Sequence, residues 1–260
     1  MTRGVDLDDP KLTLLRRDLM RTKRSLQLTN DDWYARLERI DGTAPPGVRV
    51  EIGTGGGCME TRIPGLVRTD VQPLPFVSCV CRAEELPFAR NSVAAIYMIN
   101  VLHHVLEPRR FLADAAQVLK PGGVCALIEP QVTPFSRIIY RYFHPEPFEP
   151  EAERWELPPS GPLSGGNDAL PWIIFVRDRP AFEREFPDLT IEHIESHTSI
   201  TRLFSGGVMM RSLLPDRLYP PLLALERRMP APVRDRLALF MTVVLRKAGD
   251  GHSRPHTARG

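Results

Sequence analysis

A glycine run marks the first place where this chain could do chemistry. The stretch V-R-V-E-I-G-T-G-G-G at residues 48–57 carries an apolar strand pattern into Gly53, Gly55 and Gly57. At the end of a parallel strand such a turn brings the backbone close to a ligand, because glycine lacks a Cβ and accepts positive φ. The register is G-x-G-x-G, with Cys58 where the dinucleotide fingerprint has its third glycine, so a dehydrogenase is disfavoured. No G-K-[ST] follows, which removes a P-loop. Glu51 precedes the turn by two residues and Asp70 closes the next apolar run, and with these acids beside it the turn becomes a ligand-site candidate.

His103 and His104 follow a later apolar run. Imidazole titrates near neutrality, so either could act as a general base or steer a substrate, and either could equally be a packing histidine. Glu129-Pro130, Tyr140, His144 and Glu146 lie at or after the end of the fifth apolar run, where substrate contacts belong in an open α/β sheet. His193 and His197 read as structural, and His252 and His256 as idle in a polar tail. Met209-Met210 with Leu213-Leu214 read as an ordinary core face, or as one meeting a greasy substrate. No His, Cys or Asp set has metal-ligand spacing along the chain, so no metal is expected.

The elements that must position these residues alternate. Residues 11–27 set Leu12, Leu15, Leu19 and Leu26 among Arg and Lys, an amphipathic helix. Thr29-Asn30-Asp31-Asp32 reads as a helix start, and residues 41–47 as a linker. Strands are expected at residues 48–52, 66–70, 76–81, 93–99 and 123–128, with a helix over 109–119 stopped by Pro121-Gly122-Gly123. Residues 135–143 and 177–186 read as helices, and 189–196 and 237–245 as two late strands. Residues 144–171 are too long and too rich in proline for a plain connection and read as a lid. The organisation is then an N-terminal helical segment over 1–47, one α/β domain over 48–248, and a disordered tail over 249–260.

The motifs together resemble the class I S-adenosylmethionine-dependent methyltransferases, most closely the methyltransferase-11-like group that includes quinone-biosynthesis enzymes. The resemblance runs from about Val48 to Glu129. It is carried by Glu51-Ile52-Gly53-Thr54-Gly55-Gly56-Gly57, Asp70, Ala83-Glu84-Glu85-Leu86-Pro87-Phe88, Asn100-Val101-Leu102-His103-His104-Val105 and Leu119-Lys120-Pro121-Gly122-Gly123. It implies a doubly wound seven-stranded sheet in the order 3-2-1-4-5-7-6 with the seventh strand antiparallel. It also implies S-adenosyl-L-methionine as cofactor. Gly53, Gly55 and Gly57 would pass under its methionine part and Asp70 would accept from its ribose hydroxyls. Glu51 would brace the loop or meet the amino group, Ala83 would offer backbone near the adenine, and Asn100 would lie beside the methionine. One departure stands out. The family commonly has an acid before Ala83, and this chain has Arg82, which leaves adenine to the backbone or to Glu84 or Glu85.

Composition bounds the rest. The chain has 260 residues, 42% hydrophobic and 25% charged, ordinary globular usage, with a net charge of +2 that gives no electrostatic case for nucleic acid. No apolar run approaches the roughly 20 residues a membrane helix needs. Residues 1–10 show no apolar signal core. Cys58, Cys79, Cys81 and Cys125 read as small buried residues in a reducing cytoplasm. Of 26 prolines, eleven fall between Pro130 and Pro187, which separates a regular first part from an irregular second. The expected activity is methyl transfer to a small, partly apolar acceptor. The alternative is a non-catalytic binding or scaffold subunit of the same fold.

Overall fold

Strand β4, Val93–Ile99, is apolar on both sides, and both sides are covered. Ala95 and Tyr97 pack on one face of the sheet with Trp33, Leu37, Ala126 and Ile128. Ile96 and Met98 pack on the other with Phe111, Leu112, Leu127 and Phe182. The alternation follows from successive side chains pointing to opposite faces of a strand. The structure, a computed structural model, describes residues 8–159, 161, 165–198, 200–208 and 210–249. The tail expected to be disordered, from residue 250 on, lies outside the described residues, as do His252, His256 and Met209.

Seven strands form one sheet in the order β3-β2-β1-β4-β5-β7-β6. They are β1 (Val48–Ile52), β2 (Val67–Asp70), β3 (Cys79–Val80), β4, β5 (Leu119–Pro130), β6 (Leu189–His197) and β7 (Phe240–Lys247). Strand β7 runs antiparallel to both β5 and β6, and the other pairs are parallel. The helices are α1 (Pro10–Thr22), α2 (Arg24–Asp41), α3 (Pro108–Val118), α4 (Pro134–Phe143), α5 (Leu170–Trp172), α6 (Arg179–Glu185), α7 (Ile200–Ser205), α8 (Tyr219–Arg227) and α9 (Ala231–Leu237). This is the doubly wound, Rossmann-like methyltransferase fold expected from the motifs. Among the described residues no helix is long and apolar enough to cross a membrane.

Four local expectations are corrected. The helix over residues 11–27 is two helices, broken at Lys23, whose ψ of 108° is extended and whose Nζ donates to the Gly207 and Met210 carbonyls. Thr29-Asn30-Asp31-Asp32 does not start a helix but lies inside α2. Its polar groups find partners along and across the helix: Thr29 Oγ1 donates back to the Ser25 carbonyl, and Asp32 accepts from Arg36 one turn on and from distant Arg227. Pro121-Gly122-Gly123 does not end a helix. Helix α3 stops at Val118, and the glycines form an irregularity within β5, where Val93 pairs with Leu119 but Ala95 with Val124. Of the cysteines only Cys125 is buried, and Cys58, Cys79 and Cys81 are half-exposed free thiols.

Candidate functional site

The glycine turn sits at the C-terminal end of β1. Gly53 has φ +64° and Gly55 φ +47°, conformations that L side chains rarely adopt. A Cβ on Gly53 would also meet Val101 Cγ2 at 2.6 Å, so the end of β4 packs directly on the turn. Gly55 N–H donates to Asp70 Oδ2 at 2.8 Å, and Gln72 N–H donates to Asp70 Oδ1 at 2.9 Å. Asp70 therefore ties the ends of β1 and β2 together while each oxygen keeps a lone pair. Burial pushes its pKa up against these backbone bonds. Glu51 lies beneath the turn, accepts from Thr54 Oγ1 at 2.7 Å, and is pushed by burial up to about 7.

Asn100 closes β4 with φ +56°, its N–H donating to the Ile128 carbonyl at 2.9 Å. Its side-chain Oδ1 is buried and has no hydrogen-bond partner. An orphaned acceptor of this kind calls for a ligand or water, since leaving it dry costs about 1–3 kcal/mol. Glycines at positive φ, a carboxylate with spare lone pairs and an orphaned amide oxygen thus converge at the strand ends. That donor and acceptor set fits the hydroxyls and amino-acid end of S-adenosylmethionine. Ala83 is buried in the main core beside Leu86. Glu84 is committed elsewhere, its Oε1 accepting from Leu106 N–H at 3.1 Å, so of the two acids only exposed Glu85 stays open to adenine. Arg82 lies 3.4 Å from Glu84 and is otherwise exposed.

Helix α1 lies over the turn, which sequence periodicity did not disclose. A Cβ on Gly56 would come within 2.8 Å of the Arg17 backbone nitrogen. The Arg17 side chain donates to the Gly57 carbonyl, pairs with Glu60 at 2.8 Å and stacks on Phe76 at 3.9 Å. Thr13 Oγ1 donates to Gln72 at 2.7 Å, fastening the same helix to the β2 end. Gly56→Ala is accordingly expected to lift α1 and lower stability by about 1–3 kcal/mol, the usual cost of overpacking. Urea unfolding reads the loss, and faster tryptic cleavage in the basic α1 reads the cause. Unchanged stability and cleavage would contradict close docking.

Opposite the turn, the histidine pair meets a carboxylate cluster. His103 Nδ1 lies 2.6 Å from Glu129 Oε2, and Glu129 Oε1 accepts from Val101 and Leu102 N–H at 2.9 and 2.7 Å. His104 Nδ1 lies 2.6 Å from the Gly165 carbonyl. Both Nε2 atoms face Glu146 Oε2, at 3.4 Å from His103 and 3.7 Å from His104. His103 Nε2 is 3.8 Å from Asp168 Oδ1, and His144 Nδ1 is 3.0 Å from Asp168 Oδ2. Burial pulls His103 down, but Glu129 and then Glu146 and Asp168 raise it well above its ordinary value. Burial and the His103 charge hold His104 below its own. Burial pushes Glu146 up, but His103, 3.4 Å away, and the charges of His104 and His144 overcome it and hold Glu146 at about 2.

Of the residues marked at or after the end of β5, Glu129, His144 and Glu146 join this cluster. Tyr140 borders it, its ring edge-on to that of His144 at 5.6 Å, but its hydroxyl turns away and donates to the Leu239 carbonyl. Asp168 was not marked in the sequence. The segment 144–171 supplies His144, Glu146 and Asp168. It is fastened to the body by buried Trp155, whose Nε1 donates to Asp178 at 2.9 Å, and by Asn167 N–H, which donates to the His103 carbonyl at 2.9 Å, while the Asn167 side chain pairs with the Glu149 backbone inside the segment. His197 is bonded to Thr198 and Thr242 within the sheet, and His193 is exposed on β6.

Residues 64–127 match a family described as "Methyltransferase domain". That segment contains Asp70, Ala83, Asn100 and the histidine pair. Over that segment the chain is similar to methyltransferases. A demethylmenaquinone methyltransferase of Tropheryma whipplei is 46% identical over 66 residues, 24% of this chain and 28% of that protein. An uncharacterized methyltransferase of Mycobacterium tuberculosis is 34% identical over 107 residues, 35% of this chain and 44% of that one. A ubiquinone/menaquinone biosynthesis C-methyltransferase of Desulfotalea psychrophila is 33% identical over 90 residues, 35% of this chain and 34% of that one. The chain thus spans less than half the length of these curated relatives. Among solved structures, the YcgJ protein of Bacillus subtilis is 13% identical, covers 84% of this chain and 98% of its own, and has a TM-score of 0.49. The matched methyltransferase segment ends before Glu129, so the histidine pair falls inside it and most of the carboxylates that surround the pair fall outside.

Proposed function

We propose that this methyltransferase uses S-adenosyl-L-methionine to methylate a small-molecule acceptor bound between the glycine turn and the histidine cluster. The observation that carries the reading is the convergence of Gly53, Gly55, Asp70 and the orphaned Asn100 Oδ1 at adjoining strand ends. When bound, the cofactor supplies a methyl group activated on a sulfonium, so the hard chemistry is its own. Gly53, Gly55 and Gly57 leave room for its methionine end, Asp70 accepts from its ribose, and Asn100 and Glu51 meet its amino-acid end. Ala83 offers backbone toward the adenine. Helix α1, docked on Gly56, excludes water from this half of the site.

His103 and His104 stand on the acceptor side. Their Nδ1 atoms are fixed by Glu129 and Gly165, so their Nε2 atoms present a rigid pair to the acceptor's polar atom. Such fixing orients a nucleophile for in-line attack, and orientation alone is a large part of a displacement barrier. The relatives named for demethylmenaquinone and ubiquinone/menaquinone methylation support a quinone-like, partly apolar acceptor. The non-catalytic reading draws support from Arg82 and from the contact of Arg17 with the Gly57 carbonyl.

Calorimetry with S-adenosylhomocysteine separates the two. Binding is expected, and Asp70→Ala should weaken it by about 1.5–3 kcal/mol, the worth of hydrogen bonds to a charged acceptor. No binding at millimolar ligand would favour the scaffold. Undiminished affinity in a folded Asp70→Ala protein would remove Asp70 from the site.

A further inference from the structure

We propose that His103, His104 and Glu146, with Asp168 as a further ligand, bind a divalent transition-metal ion such as Zn²⁺ on the acceptor side of the site. The donor atoms of His103, His104 and Glu146 lie within 4.8 Å of one another. The separations of 3.4, 3.7 and 3.8 Å from Nε2 to carboxylate oxygen are long for hydrogen bonds. They are close to the edge of a tetrahedron around zinc, about 3.3 Å for metal–ligand bonds of about 2.0–2.1 Å. Small side-chain shifts would close the set around one ion.

The surroundings of the two imidazoles point the same way. A metal-binding histidine almost always donates its other ring N–H to a carboxylate or a backbone carbonyl, which fixes the tautomer and aims the free nitrogen. Both histidines do this here, His103 toward Glu129 and His104 toward Gly165, each at 2.6 Å. Both free nitrogens then face the same Glu146 oxygen. The backbone is closed around the pair. Asn167 N–H donates to the His103 carbonyl at 2.9 Å, and a Cβ on Gly166 would sit 2.8 Å from His104 Nδ1. Asp168 is 1% exposed, and its Oδ2 makes no hydrogen bond of good geometry, although His144 Nδ1 lies 3.0 Å away. His144, Glu146 and Asp168 form a second such group that shares Glu146 with the first.

Two imidazoles with one or two carboxylates suit zinc, cobalt, nickel or ferrous iron over magnesium or calcium, which prefer oxygen throughout. Beyond the two ligating histidines, His144 and Arg16 on α1 also lie close enough for their charges to act with Glu146, and the ion would share that carboxylate with them. A proton on His103 Nε2 is the competing occupant of the same gap. The consequence for catalysis rests on the methyltransferase reading. With His103, His104 and Glu146 as the three ligands and Asp168 released, the fourth position would hold an acceptor oxygen and favour its deprotonated form.

The test uses the full chain, freed of metal by chelator and gel filtration, then titrated with Co²⁺ and Zn²⁺. One equivalent of Co²⁺ should give the visible d–d bands of a low-coordinate nitrogen and oxygen site, and Zn²⁺ should displace it. Glu146→Gln and His104→Ala should each weaken Zn²⁺ binding at least tenfold, and Glu129→Gln about 10–100-fold through the His103 tautomer. His193→Ala, on exposed β6, should change nothing. Failure to bind either ion at millimolar concentration overturns the proposal, as does undiminished affinity in the Glu146→Gln protein. Should His104→Ala not fold, Glu146→Gln and the wild-type Co²⁺ spectrum decide. S-adenosylhomocysteine binding is measured separately, so loss of the cofactor reading with the cobalt spectrum intact, or the reverse, is told apart.

Discussion

Glu129→Ala is expected to lower the folding stability of the protein by about 3–5 kcal/mol, the cost of breaking a buried charged pair by removing one partner. Glu129 is 0% exposed at the end of β5. Its two oxygens take three donors, the N–H groups of Val101 and Leu102 and the Nδ1 of His103. Alanine strands all three in a place water does not reach, and each buried orphan costs about 1–3 kcal/mol. Glu129→Gln separates the parts. Its amide oxygen can still accept from Val101 and Leu102, while its NH₂ faces a ring nitrogen that needs an acceptor. Urea unfolding should therefore rank wild type above glutamine and glutamine above alanine. A loss under about 1 kcal/mol for alanine would mean that the turn after β4 rearranges to satisfy its own backbone. In that case His103 is not held by Glu129.

The same residue shows how far the sequence could be read. Glu129 was placed in substrate territory because it ends the fifth apolar run, and that placement follows from strand polarity alone. Its bonds to the turn that follows β4 depend on β4 and β5 being neighbours in register, which only the paired sheet specifies. Strand β4 was legible because a run covered on both faces is nearly all apolar, and β1 because V-R-V-E-I alternates apolar residues into the glycine turn. Strand β3 was drawn too long, from 76, because Phe76 looks like a strand residue and instead lies under the Arg17 guanidinium. Thr29-Asn30-Asp31-Asp32 misled for a related reason. Capping residues carry the same side-chain oxygens that a buried network uses, and Asp32 serves Arg36 and Arg227.

The candidate site divided along the same line. Gly53, Gly55, Asp70 and Asn100 sit on consecutive motifs, so local order in the chain already groups them. The histidine cluster draws on residues 103–104, 144–146 and 168, which no spacing rule joins. His144 and Glu146 could be marked singly by topology, but Asp168 sits in a polar, proline-rich stretch where an acid looks solvated. Only packing buries it. Gly56 and Arg17 were missed because docking between α1 and the turn leaves no periodic trace in either segment.

Glu51→Gln is expected to make the protein more stable above neutral pH, with a gain that reaches about 3 kcal/mol. Burial raises the Glu51 carboxyl from 4.5 to about 7, against the pull of the Thr54 hydrogen bond and of Arg68 and Arg17. A raised acid holds its proton in the native state where the unfolded chain has released it. Between about pH 4.5 and 7 the native protein therefore binds more protons, and stability falls as pH rises. At about 1.4 kcal/mol per pKa unit, the gap between 4.5 and about 7 gives the figure above. Glutamine keeps an acceptor for Thr54 and carries no charge to desolvate. Its advantage over wild type should be near zero below pH 4.5, grow through the interval and level off above 7, as read by urea unfolding at pH 5 and pH 8. Parallel profiles would show that Glu51 is ionised at ordinary pH and braces the loop as a carboxylate. The cofactor then gives the deciding contrast. If Glu51 meets the ammonium of the methionine part, S-adenosylhomocysteine binding at pH 6 should release a proton in wild type and none in Glu51→Gln. Calorimetry in two buffers of different ionisation enthalpy reads that proton directly. Equal proton release in both proteins would leave Glu51 a brace beneath the turn.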